Sequence, residues 1–447
     1  MDGIECNHGG QSGLNKRIIS HKMNRSELSK LIRYGWFFLL AGLVINYIYR
    51  MYFHSLPIEK IILGSDMEGY YQYLVHFFIK DWALFDRMPW TIAYGEGKTL
   101  SVFTCGLAIL WSPFFLTAHI ISVFFGLDAD GHANLYYGFI LIAGIVYTYI
   151  GLVFLYKFLR EFFEHKTSLI TTALFFLATN VFFYSVLLGA GMSHVYSFSM
   201  IAVYLYFSHQ FTKNSSLKNL ILLGIPFALA VLIRPTNIIS GLYLFLYGVN
   251  SWATLRERFS FWLTNYWAIL GLLIIGLIVF VPQMAYWHFV TGKFLVYSYQ
   301  NYGFPFLMSP KFGVVLFGKF NGWLTFTPIV IFALVGLFIQ LYRKQMNSLA
   351  VLLILILSIY INASWWFPTF GAAVGQRAMI DYLPFLAVPL ALVIGYLRGM
   401  TLSLKLAVGF VFVLFIFYNI QFGFRYDSGI WWDTPMSWTK LWNTLKF

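Results

Sequence analysis

The chain is a succession of apolar runs, most of them close to the roughly 20 residues that an α-helix needs to cross a ~30 Å hydrocarbon layer. They lie near 34–53, 101–125, 135–157, 168–189, 195–211, 219–233, 237–252, 262–285, 323–342, 347–363, 379–397 and 403–420. In lipid every backbone N–H and C=O has to be satisfied within the protein, and for continuous apolar runs that means helices. Composition agrees. Of 447 residues 60% are hydrophobic and 11% charged, against roughly 25% charged in soluble domains. A soluble enzyme, a disordered chain and a nucleic-acid-binding domain are excluded. The expected fold is an all-α polytopic membrane protein.

A formal charge of +13 reflects, in a membrane chain, the lysines and arginines that hold loops on the cytoplasmic side. With a cytoplasmic N-terminus and a non-crossing 101–125, the inside segments collect most of them. These are Lys16, Arg17, Lys22, Arg25, Lys30 and Arg33 ahead of the first run, then Lys157, Arg160, Lys166, Lys213, Lys218, Arg256, Arg258, Arg343, Lys344, Arg398 and Lys405. A crossing at 101–125 would turn every later basic loop outward. Trp111, Ser112, Pro113 and His119 suit an interfacial or re-entrant segment instead. The result is about 11 transmembrane helices. Residues 1–33 form a basic cytoplasmic segment, 34–420 the membrane domain with 53–134 as its first external loop, and 421–447 an amphipathic external tail. The run from Tyr34 follows a polar segment without a small-residue cleavage site and reads as an uncleaved signal-anchor.

This topology gathers the polar signatures on one face. Asp66 and Glu68, Gly191-Met192-Ser193-His194, Arg234, the 286–322 loop and the 364–378 loop with Gln376 and Arg377 all lie outside. Polar groups converging at one side of a membrane protein mark a functional site. Two cysteines, Cys6 and Cys105, exclude a disulfide framework and a sulfur-based metal cluster. The sequence shows no internal repeat, which argues against an inverted-repeat transporter.

Each candidate carries a bland and a chemical reading. Asp66 and Glu68 precede an aromatic stretch, Tyr71–Trp82, that reads as an interfacial helix. They are either helix caps, a general base, or a pair of carboxylates for a divalent cation such as Mg or Mn. His194 is a helix-terminal hydrogen-bond partner or a ligand for phosphate or acceptor. Arg377 and Asp381, four residues apart, are an i,i+4 pair, or Arg377 clamps a phosphate with its planar fork. Gly371 and Gly375 would let the backbone approach that phosphate. Gln376 adjoins the clamp. Arg234, in Arg234-Pro235-Thr236-Asn237 between two spans, either snorkels or joins it. Trp287, Trp323, Trp365 and Trp366 form a sugar-stacking wall or an interfacial belt. Trp431, Trp432, Trp438 and Trp442 give the tail its amphipathic character.

An acid just after the first span, opening a long external loop, resembles the GT-C glycosyltransferase superfamily. The likeness extends to a bacterial subgroup through Asp66-Met67-Glu68-Gly69-Tyr70-Tyr71, Met192-Ser193-His194-Val195-Tyr196-Ser197-Phe198, Gly322-Trp323-Leu324-Thr325-Phe326-Thr327-Pro328 and Gly375-Gln376-Arg377-Ala378-Met379-Ile380-Asp381. It spans roughly 60–385. The chain departs from the subgroup at Ala373-Val374, where a small polar residue and an aromatic are usual, and at Lys319-Phe320-Asn321, where a basic cluster is common.

The resemblance implies juxtamembrane helices in the first external loop and transfer of a sugar from a polyprenyl-phosphate carrier. The acceptor is a cell-envelope glycan, lipid or protein at the external face of a bacterial inner membrane. Asp66 is the expected catalytic base, favoured because the resemblance places the acid there; Glu68 is its competitor and otherwise orients the acceptor or helps to bind a cation. Arg377, His194, Arg234 and Gln376 are the expected donor- and phosphate-binding set. No cofactor is required by this reading, and the divalent cation stays open. A transporter or flippase of lipid-linked sugar and a surface-polysaccharide polymerase or ligase are the alternatives. The first would place more charge at mid-membrane, and the second carries its large loop late in the chain.

Overall fold

The computed structural model describes residues 25–445 apart from 54–62, 64, 81, 83–84, 86–89, 95–96, 188–190, 300–301, 346, 372 and 427–436. Residues 1–24 of the expected cytoplasmic segment, and Trp431 and Trp432 of the tail, thus lie outside the described residues. Helices follow the apolar runs. Among the described residues six are long and apolar enough to cross a membrane: Ser29–Tyr52, Gly106–Phe125, Asn134–Arg160, Tyr266–Thr291, Arg377–Leu397 and Leu402–Arg425. Leu217–Ile233, Val330–Tyr342 and Ser348–Ser364 are shorter and equally apolar.

Several expected spans are broken, each for a local reason. The 168–189 run divides into His165–Leu177 and Val181–Val186 around Asn180, and 237–252 into a 3₁₀ turn, Pro235–Gly241, and Leu242–Phe245. The 323–342 run divides into Trp323–Phe326 and Val330–Tyr342 at Pro328, which has no N–H to continue a helix. The stretch at 379–397 begins as a ten-residue 3₁₀ helix, Arg377–Leu386, before Ala387–Leu397 turns α-helical. The first loop holds the helix Asp66–Phe78, starting five residues earlier than its aromatic pattern suggests. It also holds a hairpin, Thr91–Tyr94 with Lys98–Ser101, closed around Gly97 at positive φ. That hairpin is missing from an all-α expectation, although alternating apolar residues around two glycines are its usual signal.

Helix directions separate the two ends of the bundle. Asn134–Arg160 and Ser193–Lys213 run parallel: the Tyr147 and Tyr196 rings meet at 5.4 Å, those of Phe154 and Tyr206 at 5.6 Å, and Lys213 reaches Glu161 at 2.6 Å. The 235–249 segment runs alongside in the same sense, Tyr204 meeting Ser240 and His209 meeting Tyr247. At the end where these three segments begin, Cys105 N–H donates to Gln283 at 2.6 Å, Ser101 N–H to the Tyr286 hydroxyl at 2.9 Å, and Trp366 N–H to Gly303 O at 3.0 Å. The first loop and the 292–322 and 365–376 loops are thereby gathered together. The opposite end carries Lys213 on Glu161, Arg398 on Glu164, Arg343 on Tyr396 and Arg258 on the carbonyls of Leu244 and Phe245. Gly106–Phe125 has the length of a span, yet all its ring contacts are toward the first end. Gly106 abuts Ile233, Trp111 meets Tyr196, Phe114 meets Tyr147, and Phe115 and His119 meet Tyr136.

Glu161 pins the basic end. Burial pushes its carboxyl upward, but the hydrogen bonds from His209 and Lys213 outweigh that and hold it at about 2. A depressed folded-state value stabilises above the unfolded one, and that contribution is lost as the pH falls. Glu161→Gln should therefore lower the melting temperature near pH 7. The gap to wild type should close as the pH is taken from 4.5 towards about 2, followed by thermal unfolding in detergent.

Candidate active site

Three elements meet at the loop-rich end: the start of Asp66–Phe78, the start of Ser193–Lys213, and the 3₁₀ helix Arg377–Leu386. Ser65 caps the first, its hydroxyl accepting from Met67 N–H at 3.2 Å, so Asp66 is the first helical residue and is not needed as the cap. Its Oδ2 instead meets Arg377 Nη2 at 2.8 Å, with the two side chains 22% and 14% exposed. The pair is reachable from outside, as a substrate-binding group must be. Glu68, two residues on, lies about 200° around the helix. The two acids therefore do not share a face of the helix. Tyr70, one turn after Asp66, does share that face.

Arg377 and Asp381 do not pair with each other. In an α-helix residues four apart lie about 40° from alignment, but at three residues per turn they are about 120° apart. The 3₁₀ geometry splits them, sending Arg377 to Asp66 and Asp381 into the core. There the fully buried Asp381 carboxylate accepts from His194 Nδ1 at 3.0 Å through Oδ1. Its Oδ2 accepts from Asn237 Nδ2 at 3.2 Å and forms an ion pair with Arg234 Nε at 3.1 Å. With the His194 proton on Nδ1, Nε2 is left as an acceptor facing Arg234 Nη1 at 3.4 Å.

Two members of the expected donor-binding set are therefore placed differently. His194 is buried with both ring nitrogens engaged, so it supports Arg234 rather than offering a nitrogen to phosphate. Gln376 is fully buried, its amide donating to Pro368 O at 2.8 Å, and it holds the preceding loop. Arg377 and Arg234 remain accessible, Arg234 with 19% of its side chain exposed. Arg377 Nε is buried without a hydrogen-bond partner.

The loop that carries Arg377 is strained and braced. Phe370, Gly371 and Gly375 all have positive φ. A Cβ at Gly375 would stand 2.8 Å from Phe326 Cβ, so both conformation and space demand glycine there. Asn321, itself at φ 64°, donates to Thr369 O at 3.0 Å and Gly371 O at 2.7 Å. Asn180 donates to Val374 O at 3.0 Å, and Val374 N–H to the Tyr184 hydroxyl at 3.0 Å. Asn321, in one stretch that departs from the subgroup, thus braces the arginine loop, and the backbone of Val374, in the other, is held by Asn180 and Tyr184. On the other side Gly191 lets the His194 turn close on Met67, whose sulfur would be 2.4 Å from a Cβ there.

Tyr70, Ser193, Asn237 and Tyr299 complete the site and were not singled out from sequence. Burial pushes the Tyr70 phenol up to about 12 against the opposing effects of Ser193 and Arg234. It stays a neutral hydrogen-bond donor. Its ring stacks on Phe103 at 4.6 Å, and Tyr299 meets Phe103 and Trp365 edge-on at 6.2 and 5.6 Å. Spacing, at i+4 from Asp66, is the signal that would have found Tyr70; Ser193 and Asn237 lie in motifs quoted for His194 and Arg234, and no local signal marks Tyr299. Of the four tryptophans, Trp287 and Trp323 are buried and Trp366 is 41% exposed. Only the Trp365–Trp366 part of the expected wall faces outward.

Residues 115–287 match the family described as dolichyl-phosphate-mannose-protein mannosyltransferase. The matched stretch contains His194 and Arg234 but neither Asp66 nor Arg377. That match covers less than half of the chain. Comparison with curated proteins finds no match in sequence. Among solved structures the chain is similar to the Archaeoglobus fulgidus oligosaccharyltransferase in the apo form, with a TM-score of 0.45 and 15% identity. The similarity covers 88% of this chain and 55% of that one, so the chain spans about half the length of that protein.

Arg377 offers a test of geometry against charge. Arg377→Ala should weaken donor use strongly in a sugar-transfer assay. Arg377→Lys should recover only part, because one ammonium cannot hold Asp66 and an anion as a two-pronged guanidinium does. Full activity of the lysine variant would reduce Arg377 to a point charge.

Proposed function

We propose that the protein is a GT-C-type membrane glycosyltransferase that moves a sugar from a polyprenyl-phosphate carrier to a hydroxyl of a cell-envelope glycan, lipid or protein on the external face of a bacterial inner membrane. The observation that carries this reading is the Asp66–Arg377 pair at 2.8 Å, an acid and an anion-binding group in contact on an accessible surface. Arg377 and Arg234 hold the carrier phosphate. A phosphate brought to Arg377 takes over part of the guanidinium and leaves an Asp66 oxygen to receive the acceptor proton. The acceptor oxygen bonds to the anomeric carbon as that carbon's bond to the phosphate oxygen breaks. The electron pair leaves with the phosphate, whose growing charge the two arginines offset.

A divalent cation gains little support from the side chains. Asp66 already has Arg377 as counter-charge, Glu68 points elsewhere, and the described residues contain no group of three or more His, Cys, Asp or Glu side chains suited to a metal ion. No step is routed through one.

The two ends of the bundle support the orientation proposed. Lysines and arginines at the end opposite the site favour that end as cytoplasmic, and Gly106–Phe125, confined to the site end, keeps the later loops in register with this. Single cysteines at the exposed Lys98 and Lys293 should react with an impermeant thiol reagent in intact cells, and those at Lys166 and Lys218 only after permeabilisation. The reverse pattern would put the site inside and remove an external acceptor.

Asp66→Asn keeps shape and hydrogen bonding but removes the base. Sugar transfer by the purified variant should fall by roughly 10²–10⁴-fold, the range typical of a positioned general base, with protein level nearly unchanged. Glu68→Gln should stay within a few-fold of wild type. An active Asp66→Asn beside an inactive Glu68→Gln would exchange their roles.

A further inference from the structure

We propose that Asp381 is a positioning residue: its buried carboxylate holds Arg234 and a neutral His194 as one rigid arm that presents the Arg234 guanidinium to the donor phosphate. The proposal rests on the polyprenyl-phosphate reading above and deepens it. Three side chains, Asp381, His194 and Arg234, close a ring with little freedom, and a fourth, Asn237, braces it at Asp381. His194 bridges Asp381 and Arg234 through its two nitrogens, at 3.0 and 3.4 Å. Asp381 Oδ2 faces Arg234 Nε at 3.1 Å and Asn237 Nδ2 at 3.2 Å. Asn237 is anchored in turn to Ser197 Oγ and Ala230 O, both at 3.1 Å.

Of this ring only Arg234 reaches the surface, since Asp381, His194 and Asn237 are all buried. The carboxylate therefore touches no substrate and acts through the arginine. Its two oxygens divide the work. Oδ1 fixes the His194 tautomer, and Oδ2 fixes the Nε edge of Arg234, which with Nη1 on His194 leaves Nη2 as the guanidinium nitrogen not engaged within the ring. The arrangement repeats what Asp66 does for Arg377 at 2.8 Å. Each arginine is backed by one carboxylate, and the two guanidinium groups grip from separate supports.

Asp381→Asn separates the two tasks. Its amide oxygen still accepts from His194, but its NH₂ now opposes Arg234 and Asn237, both donors. Binding of polyprenyl monophosphate to the purified full chain should weaken at least tenfold in this variant. Arg234→Ala, which should cost a similar factor in wild type, should cost less than twofold more in the Asp381→Asn background. Additive losses, or an unchanged affinity in Asp381→Asn, would overturn the proposal. If wild type binds polyprenyl monophosphate no better than polyprenol, the functional reading itself fails and this inference with it, a result distinct from the other two. A measurement read on wild type guards against misfolding of Asp381→Asn. ¹⁵N NMR of histidine-labelled wild type, with His194 assigned by difference from His194→Gln, should show a neutral ring protonated at Nδ1. Protonation at Nε2 alone, or an imidazolium at neutral pH, would overturn it equally.

Discussion

A carboxylate withdrawn from water has to be answered by charge and hydrogen bonds, and the cluster at Asp381 joins three separate parts of the chain. His194 comes from the start of one long helix, Arg234 and Asn237 from the break between two others, and Asp381 itself from a 3₁₀ segment. Removing one partner of such a buried group typically costs about 3–5 kcal/mol. The site geometry is fixed by that requirement. Arg234 stands where it does because Asp381 is buried, and Arg377 is free to meet Asp66 because Asp381 is engaged elsewhere.

The 3₁₀ helix at Arg377–Leu386 is the structural means. Ten residues in this conformation are unusual, since its hydrogen bonds are poorer than those of an α-helix. What it supplies is direction. Arg377 and Asp381 leave the axis about 120° apart, one toward the loops and one toward the core. The positive-φ residues ahead of it, braced by Asn321, Asn180 and Tyr184, deliver the chain to its start. Backbone strain of this kind persists where surrounding contacts over-determine it, and here those contacts set the reach of the accessible arginine.

The sequence showed the class of the fold through run length and charge, because hydrocarbon thickness and unsatisfied backbone groups permit few alternatives. It marked Asp66, Arg377, Arg234 and His194 as polar groups on one face, and the structure brings all four to one end of the bundle. The resemblance favoured Asp66 over Glu68; the helix that starts at Asp66 under the Ser65 cap turns the two acids to different faces, which spacing alone did not show. The hairpin at 91–101 was readable and was missed, since two strands of four residues are easily lost in a long loop.

Pairing was decided by tertiary structure alone. Spacing in the sequence couples Arg377 with Asp381, and only the 3₁₀ conformation, imposed by the packing of Arg377–Leu386 against the start of Ser193–Lys213, uncouples them. His194 and Gln376 look like free ligands in the sequence because burial is not written in a motif; in the fold they are supports. The sequence by itself determined a helical membrane chain with its polar groups on one side, because lipid constrains each segment separately. Which charges meet was left to contacts between residues nearly two hundred positions apart, and those exist only once the helices have packed.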